Sequence, residues 1–126
     1  MLKIDREEFE RILLGAYKSL PEVFRAKIEN VALVVEDWPR PQEKKAVGVR
    51  EGSTLLGLYQ GIPQKHRDTG YANVLPDKIT IFKGPLLTIA KSKGELKALV
   101  REVLFHEVGH YFGLSEEELR KIEEEG

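Results

Sequence analysis

Residues 106–116 read HEVGHYFGLSE. On an α-helix, residues four apart lie about 40° around the axis and one turn along it. His106 and His110 therefore offer two imidazoles to one point in space. Paired imidazoles at this spacing are a donor set for Zn²⁺. Glu107 falls about 100° round from His106, beside such an ion instead of under it. There a carboxylate can take a proton from a zinc-bound water and later hand it to a leaving amine. Zinc would lower the pKa of that water towards ~7 and polarise a scissile carbonyl. A lone histidine on an apolar helix face reads as a core residue bonded to a backbone carbonyl. The full pattern, in a chain with only three histidines and with Gly113 following it, reads as a metal site.

The helix carrying the motif is expected from about Gly94 to Phe112. Leu99, Val100, Val103, Leu104, Phe105, Val108 and Phe112 make it apolar almost all round, the pattern of a buried helix. Leu99 and Val103 even share the angular sector of the histidines. Gly113 stands where a left-handed C-cap glycine is expected. Ser115 and Glu118 form a capping-box pair that opens a last helix ending near Glu125. Zinc needs a third protein ligand and an open fourth position. The turn at Gly113 swings Glu116 back towards the histidine face and makes it the expected third ligand. Glu117 and Glu118 compete with it, both as ligands and as the acidic first turn of the last helix.

Outward from the motif, Asp5 with Glu8 caps a first helix on which Phe9, Ile12, Leu13, Ala16, Tyr17 and Leu20 recur at helical spacing. Pro21 ends it or opens a short second turn, with Val23 and Phe24 facing inward. Val31 to Val35 is a continuous aliphatic run, as in a buried strand. Asp37 to Gly52 reads as a loop with a short strand at Ala46 to Val49. Leu55 to Tyr59 reads as a strand, and an irregular excursion rich in glycine and proline follows it. Lys78 to Phe82 alternates polar with apolar residues, as an antiparallel or edge strand does, and Pro85 blocks ladder donation beyond it. Helix, strands, helix, helix within one small unit predict an α+β fold rather than a βαβ repeat.

Composition narrows the chemistry. The 126 residues are 41% hydrophobic, enough for one globular domain spanning 1–126 and too many for a disordered chain. The formal charge of −1 creates no field that would draw in nucleic acid or anionic lipid, so neither is an expected partner. Zero cysteines exclude a disulfide framework, a thiolate zinc ribbon and a thiol nucleophile, leaving histidine and carboxylate as metal ligands. The N-terminus is charged from Lys3 onward, unlike a secretory signal, and no apolar stretch approaches the ~18 residues of a membrane span. The cytoplasm is the default expectation.

With these residues in view, HEVGHYFGLSE resembles the compact zincin signature, in which a third ligand follows the glycine by three residues. No methionine follows Met1, so the methionine turn of the metzincins is missing. Sixteen residues follow His110, which leaves little room for a thermolysin-type glutamate on a distant helix. The chain more closely resembles the minimal zincin-like family of bacterial proteins. The likeness extends over the N-terminal helix ending at Leu20-Pro21, the strand entry at Asn30-Val31, and Leu56-Gly57-Leu58-Tyr59 with Gly61 and Pro63. It continues through Arg67, Tyr71, Leu75-Pro76-Asp77-Lys78-Ile79 and Gly84-Pro85-Leu86. The resemblance implies a zincin-like fold of N-terminal helix, small mixed sheet, HExxH helix and short C-terminal helix. It also implies one zinc, a metallopeptidase activity on peptides or proteins, and a missing lower subdomain. Members commonly carry Asp where Glu116 stands here.

Further expectations attach to the surroundings of the motif. Ile79 to Phe82 could be the edge strand that pairs with an extended substrate, or an ordinary sheet strand. His66, Arg67 and Tyr71 are candidate oxyanion donors or anchors of their loop, and Tyr111 is expected to line or close the site. Two further functional readings compete with the peptidase. One is a zincin-fold metal-binding or interaction module with little or no catalysis, favoured by the shallow cleft that so short a chain builds. The other is a zinc endoribonuclease, whose His-x3-His-x5-His spacing fits positions 106, 110 and 116. Glu107, Glu116 and the near-neutral charge oppose the latter.

Overall fold

The computed structural model describes residues 1–25, 31–46, 55–61 and 77–125. Its sheet is organised about β3 (Asp77–Phe82). β1 (Val31–Glu36) pairs with β3 in parallel, from Val31 opposite Asp77 to Glu36 opposite Phe82. β2 (Gly57–Gln60) pairs with it antiparallel, from Gly57 opposite Ile81 to Gln60 opposite Lys78. β3 is thus antiparallel to one neighbour, as its alternation predicted, but it is the middle strand of the three and not an edge. The burial pattern explains this. Thr80 and Phe82 are as completely buried as Ile79 and Ile81, so both faces of β3 are covered. An extended substrate therefore has no access to Ile79 to Phe82.

Six helices are present among the described residues. α1 (Arg6–Lys18) is capped by Asp5, which accepts the Glu8 N–H at 2.8 Å, and it buries Phe9, Ile12, Leu13 and Ala16. α2 (Glu22–Arg25) is one turn after Pro21, and it sets Phe24 against the rings of Phe105 and Phe112 at 5.5 and 5.1 Å. α3 (Pro41–Ala46) replaces part of the loop expected over 37–52, and it includes the first residue of the strand expected at 46–49; residues 47–49 lie outside the described residues. Its sequence, PQEKKA, has no apolar periodicity to betray a helix. Proline at the first position, Glu43 in the first turn and two lysines in the last suit the helix dipole instead. Glu43 also accepts the Arg40 N–H at 2.8 Å.

α4 (Lys83–Ile89) continues directly from β3, and Pro85 is tolerated in its first turn, where an N–H has no helical acceptor. α5 (Lys93–Tyr111) is capped by Ser92, which accepts the Glu95 N–H at 3.2 Å. It packs on α1 and on β2 and β3, so apolar residues occupy most of its circumference. α6 (Glu116–Glu125) returns along the end of α5. Among the described residues, no helix is long and apolar enough to cross a membrane.

β2 approaches α5 closely because its first residue has no side chain. A Cβ on Gly57 would lie 2.6 Å from Val103 Cγ1 and 3.2 Å from Glu107 Cγ. Gly57→Ala is therefore expected to destabilise the fold by about 1–3 kcal/mol through overpacking. Thermal unfolding of the two proteins checks this, and an unchanged Tm would show that the strand and helix can part without cost.

Candidate metal centre

The histidines of the motif stand on the last two turns of α5 and differ in setting. His106 is half-buried, with its Nδ1 inside the protein. The Phe105 ring meets it edge-on at 6.2 Å. The side chain of His110, one turn on, is 49% exposed. Between them in sequence, Glu107 is withdrawn from solvent with its side chain 12% exposed. Its Oε1 accepts the backbone N–H of Tyr59 on β2 at 2.8 Å and lies 3.4 Å from His110 Nδ1. The carboxylate is thus fixed between α5 and β2.

The chain leaves the motif through a Schellman turn. Gly113 has φ of +70°, a conformation that side chains disfavour. Its N–H donates to His110 O and that of Leu114 to Gly109 O, both at 2.9 Å. The turn reverses the chain so that Leu119, 1% exposed, lies over Gly109, where any side chain would overlap it. The glycine inside the motif is the seat of α6. Ser115 and Glu118 form the expected capping box in full. Ser115 Oγ accepts the Glu118 N–H at 3.2 Å, and Glu118 Oε1 accepts the Ser115 N–H at 3.1 Å. Glu118 is thereby committed to the cap, and Glu117 is exposed. Glu116 is the first residue of α6; its side chain lies outside what the structure describes.

Two imidazoles one turn apart on an unbroken helix fit zinc in number and chemistry as part of a three-ligand site. Among the described residues no group of three His, Asp or Glu side chains is close enough to hold an ion. The Glu116 side chain is not among these residues.

Other expected site residues divide clearly. His66, Arg67 and Tyr71 lie outside the described residues. Tyr111 is buried. It is 4% exposed and packs edge-on against Tyr59 at 6.0 Å and Phe112 at 5.0 Å, a core position. Sequence reasoning missed the Tyr59 backbone as a partner of Glu107. A contact made by a main-chain N–H leaves no mark in residue type; only Gly57, which lets the strand approach, was a usable signal.

Comparison with known proteins bears on this arrangement. A family model described as zincin-like metallopeptidase matches residues 28–125, which takes in every element from β1 to α6. No curated protein matches the chain. Among solved structures, the chain is similar to a conserved hypothetical protein from Thermo thermophilus. That likeness has 22% identity, covers 97% of this chain and 100% of that one, and has a TM-score of 0.56. At this identity it speaks for the fold alone. With the motif and its glycine turn inside the matched span, the chain belongs to the zincin-like metallopeptidase family.

Proposed function

We propose that the protein is a zinc-dependent peptidase in which His106, His110 and Glu116 hold one zinc ion and Glu107 carries the proton. The observation that carries this reading is the setting of Glu107, a nearly buried carboxylate held beside the motif histidines by a strand N–H. Zinc held there would supply Lewis-acid polarisation of a scissile carbonyl and acidify water. Glu107 would accept the proton released by the attacking water and deliver it to the leaving amine. Its bond to the Tyr59 N–H holds the carboxylate in place through Oε1. The substrate class is a peptide or protein, and a formal charge of −1 favours no nucleic-acid partner.

The test is to incubate the zinc-loaded, full-length protein with a diverse peptide library and identify new termini by mass spectrometry. Cleavage that stops on chelation and resumes when zinc is restored is the expected result. No cleavage of any peptide by fully loaded protein would remove the peptidase reading.

A further inference from the structure

We propose that Tyr59 and Asp77 form a positioning pair that aims the Glu107 carboxylate. This rests on Glu107 as the proton carrier and adds how that group is held. Glu107 Oε1 bonds to a backbone N–H, so the carboxylate points where β2 places residue 59. β2 has four residues and, among the described residues, lies at the sheet edge, the kind of element that opens first in local fluctuations. Something beyond its ladder must hold residue 59 still.

The Tyr59 side chain supplies that hold. Tyr59 pairs with Ile79 across the ladder, and Asp77 is the diagonal neighbour on the same face of β3. The Tyr59 hydroxyl donates to Asp77 Oδ2 at 3.2 Å. The Tyr59 ring meets Tyr111 of α5 edge-on at 6.0 Å. Asp77 is 3% exposed, and a carboxylate that deep is costly unless it is hydrogen-bonded, so it favours keeping the hydroxyl where it is. Asp77, the Tyr59 side chain, the Tyr59 N–H and Glu107 thus form one continuous chain from the middle strand to the motif.

Amide hydrogen exchange read by NMR tests the chain without relying on turnover. Glu107→Ala is expected to speed exchange of the residue 59 amide about tenfold, since its acceptor is gone. Tyr59→Phe keeps the amide and the ring but loses the hydroxyl. It should speed exchange at position 59 about fivefold, with the Leu58 and Ile79 amides changing less than about twofold. In the same variant, kcat for peptide hydrolysis should fall about tenfold with KM and zinc content unchanged. Asp77→Asn retains an oxygen for the Tyr59 hydroxyl but loses the charge, and should move both measurements in the same direction as Tyr59→Phe and by less. Equal acceleration of every sheet amide in Tyr59→Phe would show a merely structural role and overturn the proposal. So would unchanged exchange at position 59. If the wild type cleaves nothing, the peptidase reading fails, and the exchange pattern alone decides whether the pair holds Glu107.

Discussion

Zinc-loaded Glu107→Gln is expected to cleave peptides about 100- to 10,000-fold more slowly than the wild type, the usual contribution of a positioned general base. The substitution isolates proton transfer from architecture. Glutamine has the same length, and its amide oxygen can accept the Tyr59 N–H as Glu107 Oε1 does, so β2 stays on α5. It cannot take up a proton near neutral pH. Glu107 is not among the proposed ligands, so zinc content should be unchanged. The loss should appear in kcat, because proton transfer is an interaction of the transition state. Initial rates on any peptide found to be cleaved, measured with the metal content of both proteins, check this. Equal rates would take Glu107 out of the reaction and leave a metal-binding or interaction module as the better description of the fold.

His110→Ala is expected to lower zinc affinity by at least about 100-fold, since even partners of ligands commonly cost 10- to 100-fold. The choice of His110 over His106 follows from burial. His106 has its Nδ1 inside the protein and a ring packed on Phe105, so its loss would disturb packing and metal together. The His110 side chain is 49% exposed, so its removal from metal-free protein should cost less stability than removal of His106. The two effects separate in a thermal melt. A ligand at about 1,000 times its Kd stabilises the folded state by ~4 kcal/mol. Zinc should therefore raise the Tm of the wild type and leave that of His110→Ala unmoved. Glu116→Ala should weaken zinc binding much more than Glu117→Ala. The reverse order would move the third ligand to Glu117.

What was legible beforehand was local. Asp5 with Glu8, Ser115 with Glu118, and Gly113 after Phe112 are short-range stop and start signals, and each produced the cap or turn its chemistry demands. The apolar circumference of α5 and the aliphatic run of β1 likewise follow from neighbours in sequence. The failures are long-range or polar. Burial of both faces of β3 depends on elements far from it in sequence, and its KITIF alternation suits an edge equally well. α3 is stabilised by proline and charge order without an apolar stripe. Tyr111, one helical turn on from Glu107, packs in an aromatic cluster with Tyr59 and Phe112, which its place next to His110 does not foretell. The residues proposed to face a metal are suggested by HExxH, which compresses them into five positions. The strand that fixes Glu107 lies 48 positions away and acts through its backbone.

Native mass spectrometry of the full-length protein, equilibrated with a small excess of zinc and then desalted, tests the metal centre most directly. The expected spectrum shows one zinc per chain for the wild type and for Glu107→Gln, and none for His110→Ala. A wild-type protein that remains metal-free after loading, or a His110→Ala variant that retains zinc equally well, would contradict a zinc site built on His106 and His110.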